Sequence, residues 1–287
     1  MFQVSSPEFQ VAVFSVLKAG KIVRDIYNSS FEVSWKAKDD PLTEADLLAN
    51  KEILSHIKES FPDDGILSEE IADNTDRLSK DRVWILDPID GTREFVQKNP
   101  EFSISLGLSY QGKAILGIVF NPITRELISG IVDLGISYLI LDETFALDPI
   151  SISLSKLSFK ESIQKPSVYV SRSEFQKDKL FDANSFWKES FSMLPIGSIA
   201  YKLALTAAGK GDLSISLKPK NEWDICAGVA LVEASGGKVI DLFEQTQIQF
   251  NSPHHLQKGI LAGNPYTIES LVSSHGKFLK DSLVNWN

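Results

Sequence analysis

The chain contains the stretch Trp84-Ile85-Leu86-Asp87-Pro88-Ile89-Asp90-Gly91-Thr92. Its apolar first half predicts a buried strand that delivers Asp87 at its end. Pro88 has no N–H for further strand pairing, and Gly91 permits a sharp or left-handed turn. Asp87 and Asp90 would then converge on one point, with the Ile89 carbonyl turned the same way.

This turn offers only oxygen ligands, which are the ligands that a hard divalent cation prefers, so it predicts a Mg²⁺ site. Thr92 stands where a short helix could begin, and free backbone N–H groups there would favour a phosphate. The competing interpretation is an ordinary turn after a strand, because Asp, Pro and Gly are common in turns.

Three further segments offer acidic side chains, and each also has a purely structural explanation. Glu69 follows a predicted strand at 65–68, where an exposed acidic loop is the alternative. Asp224 opens a predicted helix, which an acid in the first turn would stabilise whatever the function. Asp46 lies in another predicted first turn, where such residues favour the helix start.

The rest of the chain divides into two halves by its pattern. Two helices precede short apolar strands separated by turns, which is typical of an antiparallel meander. From about residue 165 strands and helices alternate, which indicates an α/β half. We therefore expect an α+β unit over residues 1–150 with most of the acids, and an α/β unit over residues 151–287 that supplies Asp224. In the second half we expect strands at 167–170, 193–196, 213–217, 238–242 and 259–262. We expect helices around 175–190, at 198–208, at 223–234 and after Pro265.

The composition argues against several classes of protein. The chain has 287 residues, of which 43% are hydrophobic and 23% charged, unlike a disordered chain. Its net charge of −9 argues against a nucleic-acid polymer or an anionic membrane as partner. One cysteine, Cys226, and four histidines argue against a zinc site and fit a reducing compartment. No signal peptide and no run of about 18 apolar residues is found, so we expect a soluble cytoplasmic protein.

Together, these segments resemble the inositol monophosphatase superfamily. Glu69, the run from Asp87 to Thr92, and Trp223-Asp224-Ile225-Cys226-Ala227-Gly228 occur in the order found there. The similarity covers most of the chain, and the Asp-Pro-Ile-Asp-Gly-Thr and Trp-Asp motifs are highly specific. The resemblance implies a layered αβαβα sandwich of α+β and α/β elements. It also implies a lithium-sensitive phosphatase with two or three Mg²⁺ ions and a small phosphorylated substrate; members are often homodimers.

The resemblance further implies a role for each acidic residue. Asp87 would bridge two ions. Glu69 and the Ile89 carbonyl would complete one metal site. Asp90 and Asp224 would complete the other.

The resemblance also implies which side chains act on water and substrate. Asp46 and Thr92 would orient and deprotonate the attacking water, with Glu69 as a third catalytic side chain. The implied substrate-binding residues are Ser171, Asp90, Gly91, Thr92, Gly197, Ser198, Lys202 and Asp224.

Within the superfamily, the segment Gly91-Thr92-Arg93-Glu94-Phe95 resembles CysQ-type 3′(2′),5′-bisphosphate nucleotidases. Inositol phosphatases usually have Thr-Asn where this chain has Arg93-Glu94. Ser171-Arg172-Ser173 and the Gly197-Ser198 pair with Lys202 also resemble that group, although the latter segment is one residue longer here. Ser216 departs from the pattern, because some of these nucleotidases have an arginine there; Lys218 and Lys220 lie nearby.

We therefore expect a Mg²⁺-dependent phosphomonoesterase that converts adenosine 3′,5′-bisphosphate to AMP and phosphate by metal-activated attack of water. The alternative within the superfamily is an inositol monophosphatase or a broader sugar-phosphate phosphatase. The alternative outside the enzymes is a non-catalytic phosphate- or nucleotide-binding sensor, which would lack one of the acids.

Overall fold

The computed structural model describes residues 3–37, 40–177, 181 and 185–282. Its helices are α1 (Pro7–Tyr27), α2 (Glu44–Ser60), α3 (Thr92–Val96), α4 (Phe186–Ser190), α5 (Ile199–Ala207), α6 (Glu222–Ala234) and α7 (Pro265–Asp281). Its strands are β1 (Val33–Ala37), β2 (Asp40–Thr43), β3 (Gly65–Ser68), β4 (Arg82–Asp90), β5 (Ser103–Tyr110), β6 (Lys113–Asn121), β7 (Glu126–Ile131), β8 (Gly135–Ile140), β9 (Ser167–Ser171), β10 (Ser192–Ile196), β11 (Leu213–Ser216), β12 (Lys220–Asn221), β13 (Lys238–Asp241), β14 (Leu256–Gln257) and β15 (Ile260–Gly263).

Two larger sheets organise the chain. The first has the order β3-β4-β5-β6-β7-β8, and every pair is antiparallel except β3 with β4. The second has the order β10-β9-β11-β15-β13, with parallel pairs on one side and antiparallel pairs at β15. The predicted meander is therefore confirmed, and the α/β half has a mixed sheet.

The elements stack in five layers, because each sheet buries both of its faces. One face of the first sheet packs against α1 and α2 through residues such as Phe9, Ile53 and Trp84. Its other face packs against α5 and α6, which also contact the second sheet. The outer face of the second sheet packs against α4 and α7. This arrangement confirms the expected αβαβα sandwich.

The segment that joins the two halves belongs in its first part to the first sheet. Ser155 forms an isolated antiparallel bridge with Ile136 in β8, and Ile152 packs into the core beneath α1 and α2. Further along, the carbonyl of Lys160 accepts a hydrogen bond from Asn264 at the start of α7. Because α5 and α6 pack on both sheets, the division at about residue 150 stays a prediction.

Some predicted elements differ from the structure. The helix expected at 175–190 is wrong in its described part, where a π-helical turn at Ser173–Lys177 and the short α4 replace it; positions 178–180 and 182–184 lie outside the described residues. The β1–β2 hairpin and the small β12–β14 pair were not predicted. Such short strands have no alternating pattern long enough to recognise. Within the described ranges, no helix combines the length and apolar character needed to cross a membrane.

Helix α6 lies unusually close to β5 and β6 because glycines face it. A Cβ on Gly107 would lie 2.6 Å from the Cys226 sulfur, and a Cβ on Gly117 would overlap the Ala227 carbonyl oxygen. Both neighbours are fully buried, so neither has room to move away. This contact fixes the position of the helix that carries Asp224.

We predict that Gly117→Ala lowers the free energy of unfolding by about 1–3 kcal/mol, because it overpacks a backbone contact. Urea denaturation at equilibrium measures this. Gly276→Ala in α7 is the matched control, since its Cβ would meet only the flexible end of Gln245 at 3.0 Å. A Gly117→Ala protein as stable as the control would contradict the close contact.

Candidate active site

The turn that follows β4 places two aspartates at the carboxyl end of a buried strand. The predicted end of the strand at Asp87 is wrong: β4 continues to Asp90, which pairs with Ser103 after a register shift. This irregularity accommodates Pro88, which cannot donate to the ladder. Asp87 accepts a hydrogen bond from Ile89 N at 2.9 Å. Gly91 then adopts φ 98°, the expected left-handed turn, directly before α3.

Three aspartates from both halves of the chain meet at this turn. One carboxylate oxygen each from Asp87, Asp90 and Asp224 lies within 4.8 Å of the others. Burial raises the pKa of Asp87 well above its usual value, and so do the charges of its acidic neighbours, Glu69, Asp90, Asp224 and Asp46. The charges of the other four predicted acids therefore all reach Asp87.

Asp224 is held by the start of its own helix. Its Oδ2 accepts a hydrogen bond from Asn221 N at 2.8 Å, as an acid in a capping box does. Neighbouring Glu222 is fully buried and accepts the N–H groups of Asn251 and Ser252. Trp223 packs against His255 with 4.7 Å between ring centroids. These contacts anchor the first turn of α6.

Asp90 links the first sheet to the start of α5. Its Oδ2 accepts hydrogen bonds from Ser198 Oγ at 2.5 Å and from Ala200 N at 2.6 Å. Burial raises the pKa of Asp90, and these two hydrogen bonds oppose that rise. Ser198 has a positive φ of 45°, and its hydroxyl also accepts from Tyr201 N at 3.0 Å. The two predicted substrate segments therefore share one hydrogen-bond network.

Asp46 and Thr92 are close enough to act together. Asp46 is 1% exposed, and its Oδ2 accepts from Thr43 N at 2.8 Å. Its Oδ1 lies 3.3 Å from Thr92 Oγ1. Thr92 Oγ1 also lies 3.0 Å from the Ile89 carbonyl oxygen. The hydroxyl thus stands between a catalytic candidate and a predicted metal ligand.

A cavity of about 390 Å³ opens beside these residues. All eight residues that we expected to bind substrate line it: Asp90, Gly91, Thr92, Ser171, Gly197, Ser198, Lys202 and Asp224. Gly197 is required there, because a Cβ would lie 2.6 Å from both Glu94 Cγ and the Glu101 carbonyl oxygen. Asp87 is buried beneath the cavity. The roles of all these residues stay predictions.

Lys202 lines the cavity but turns its ammonium to its own backbone. Its Nζ donates to the carbonyls of Ser198 at 2.9 Å, Gly197 at 3.1 Å and Ile196 at 3.4 Å. Burial lowers its pKa to about 8, and Asp90 partly opposes that shift. Lys202 therefore stabilises the loop before α5 and adds positive charge to the cavity lining.

Six cavity residues were not among the expected site residues: Pro41, Arg93, Glu94, Ser173, Ile199 and Lys220. Pro41 comes from the hairpin that the sequence analysis missed, and Glu94 and Arg93 come from α3. Lys220 lies on β12, just before α6. In the sequence analysis, Arg93, Glu94 and Lys220 were named only when motifs were compared with those of the nucleotidases. Arg93 and Glu94 follow the acidic run in sequence, and Lys220 comes shortly before Trp223-Asp224. This closeness in sequence was the available signal.

The donor set fits a hard divalent cation. Asp87, Asp90, Asp224 and the Ile89 carbonyl offer oxygen atoms, which suit Mg²⁺ or a similar ion. Burial keeps these carboxylates from ionising together, because each charge raises the pKa of the next. A bound cation would reverse that effect. The same residues would otherwise repel the phosphate that the cavity is large enough to admit.

Comparison with known proteins agrees with this geometry. The model of the inositol monophosphatase family matches residues 5–279. The chain belongs to the inositol monophosphatase family. This is a family of metal-dependent phosphatases.

Named relatives fall in different branches of this family. Inositol monophosphatase 3 from Solanum lycopersicum is 32% identical and covers 80% of this chain and 84% of its own. Nus factor SuhB from Escherichia coli K12 is 28% identical over 96% of this chain and 98% of its own. The crystal structure of CysQ from Bacteroides thetaiotaomicron has a TM-score of 0.75 and 25% identity, covering 90% of this chain and 97% of that one. The comparisons therefore do not favour the CysQ type over the inositol monophosphatases or SuhB.

We predict that Asp224→Asn changes how stability depends on pH when EDTA removes divalent ions. Burial and then Asp90 raise the pKa of Asp224 to about 8 in the folded protein. The folded state therefore binds more protons than the unfolded state between about pH 4 and 8, and the unfolding free energy falls as pH rises. Asp224→Asn removes this loss and should gain at least about 1 kcal/mol over wild type between pH 5 and 8.

Urea denaturation at pH 5, 6, 7 and 8 checks this prediction. Asp25→Asn is the control, because the Asp25 side chain is 72% exposed. Its curve should stay parallel to wild type. A parallel curve for Asp224→Asn as well would contradict the mutual repulsion of the acids.

Proposed function

We propose that this family member is a Mg²⁺-dependent phosphomonoesterase that converts adenosine 3′,5′-bisphosphate to AMP and phosphate. The observation that carries the proposal is the convergence of Asp87, Asp90 and Asp224 within 4.8 Å at a cavity that also contains cationic side chains. Bound Mg²⁺ would supply charge neutralisation, orientation of the phosphate and a lower pKa for water. Glu69 and the Ile89 carbonyl complete the proposed ligand set.

The protein's own groups would orient the attacking water. Asp46 Oδ1 is 3.3 Å from Thr92 Oγ1, so the hydroxyl can donate to the carboxylate and accept from a water molecule. Asp46 then accepts the proton, with Glu69 as the second nearby carboxylate. Water attacks phosphorus directly in this proposal. Cys226 is no alternative nucleophile, because it is fully buried and burial raises its pKa.

The cavity lining supports a substrate with more than one phosphate. Arg93, Lys202 and Lys220 add three cationic side chains beside the acids. The segment Gly91-Thr92-Arg93-Glu94-Phe95 resembles the nucleotidases, and the CysQ structure superposes over 90% of this chain. Cationic side chains in the cavity would favour a substrate with a second anionic group over one with a single phosphate.

A second candidate is hydrolysis of inositol 1-phosphate or another sugar phosphate. It is favoured by the tomato relative, which bears the name inositol monophosphatase and is 32% identical. Both candidates use the same acids, so only the residues around the leaving group separate them. A cytoplasmic location and a homodimer stay predictions from composition and resemblance.

We predict that Thr92→Val lowers kcat about 100-fold or more, because general base and positioning groups contribute at that scale. Thr92→Ser is the matched control, since it keeps the hydroxyl, and it should retain most of the activity. Steady-state kinetics with Mg²⁺ measure both. Equal activity in the valine and serine variants would exclude Thr92 from the reaction.

A substrate panel tests the proposed function. Adenosine 3′,5′-bisphosphate, inositol 1-phosphate and fructose 1,6-bisphosphate are each assayed for phosphate release with Mg²⁺, with and without lithium. We expect the bisphosphate nucleotide to be the best substrate and lithium to inhibit. Asp90→Asn should abolish release while circular dichroism shows an intact fold, and Asp25→Asn should behave as wild type. Release from inositol 1-phosphate alone would overturn the nucleotidase assignment.

A further inference from the structure

Glu174 is a buried acid outside the predicted metal site. It lies in the π-helical turn at Ser173–Lys177 and is 0% exposed. Its Oε2 accepts Leu217 N at 2.9 Å, and its Oε1 accepts the Ser216 hydroxyl. A carboxylate is buried at this depth at a high cost unless it meets donors and a cation.

The cation that Glu174 meets is Lys220. Lys220 Nζ lies 3.5 Å from Glu174 Oε1, and the Lys220 side chain is 17% exposed. Because an ammonium has three donors, this single ion pair does not exhaust it. Lys220 also lines the cavity, so one residue connects the buried Glu174 carboxylate with the space for the substrate.

Lys220 also acts on the acidic cluster. Its charge lowers the pKa of both Asp90 and Asp224, so it stands within electrostatic reach of the proposed metal ligands. Once cations occupy those carboxylates, they repel the ammonium. Glu174 still attracts it, and so would a negatively charged part of the substrate.

Lys202 does not offer the same contact. Its Nζ donates to three backbone carbonyls, and the residue is 2% exposed. The cavity that Lys220 lines also has two hydroxyl groups, from Ser171 at the end of β9 and from Ser173 in the π-helical turn next to Glu174. Their hydroxyls are 2.9 Å apart. An ammonium and two hydroxyls in one cavity are a suitable set of donors for a phosphate.

We propose that Lys220, positioned by Glu174, binds a second phosphate of the substrate, separate from the phosphate that is released. This inference deepens the proposed function and rests on it, because it assumes that the acidic cluster holds the released phosphate. Lys220 is then the specificity-determining residue that favours bisphosphates over monophosphates. Glu174 is a positioning residue that keeps the ammonium turned toward the cavity.

The test compares substrates that differ only in the second phosphate. Adenosine 3′,5′-bisphosphate is paired with adenosine 3′-monophosphate, and inositol 1,4-bisphosphate is paired with inositol 1-phosphate. We expect Lys220→Gln to raise the KM for the preferred bisphosphate about ten-fold or more, as the loss of a charged hydrogen bond does. Its kcat, and both constants for the monophosphate, should stay within about two-fold. Lys220→Arg should restore the bisphosphate preference.

Two controls separate specificity from folding. Lys220→Gln leaves Glu174 without its cation, so the double variant Lys220→Gln, Glu174→Gln removes both charges and should show the same loss of preference. Lys238→Gln changes a lysine that pairs on the surface with Glu269 and should leave all constants unchanged. Thermal unfolding of each variant verifies the fold.

The outcomes distinguish this inference from the proposed function. If only the inositol pair is hydrolysed, the nucleotidase assignment is wrong, and the KM values for that pair then test the role of Lys220. Calorimetric Kd values for the four compounds, with Ca²⁺ in place of Mg²⁺, test the same role without turnover. An equal loss for bisphosphate and monophosphate in Lys220→Gln, or no loss for either, would overturn the inference.

Discussion

Repulsion among buried carboxylates is the constraint on which this structure depends. Asp87, Asp90 and Asp224 bring oxygen atoms within 4.8 Å of one another, and burial raises the pKa of each. Such an arrangement costs stability in the isolated chain. A bound cation converts the same arrangement into a site for a phosphate. The fold is therefore less stable locally at the place where a metal-dependent phosphatase binds its ions.

The five-layer architecture holds these acids against their repulsion. Asp87 and Asp90 come from the end of β4, while Asp224 comes from the first turn of α6. Helix α6 is fixed by its close packing on Gly107 and Gly117 and by the anchoring of Glu222. Asp90 also binds the start of α5. Each acid is thus attached to an element whose position is set by the core.

Much of this organisation followed from local pattern. Most helices and strands, and the turn at Gly91, were predicted from short-range periodicity and from glycine, whereas the layered arrangement was expected from the resemblance to the family. The continuation of β4 through Pro88 was not predicted, because a bulge depends on the partner strand. The prediction of a helix at 175–190 was wrong in its described part for the same reason: Glu174 is held in a turn by Ser216 on β11 and Lys220 on β12.

By itself, the sequence determined the family and the order of the acidic residues that we propose as metal ligands, because specific motifs carry that information. Only the tertiary structure decided that Lys202 turns to backbone carbonyls, that Pro41 reaches the cavity, and that Lys220 lies against a buried Glu174. These facts join residues far apart in the chain. Their contacts follow from how the two sheets pack around α5 and α6, and no local pattern encodes that packing.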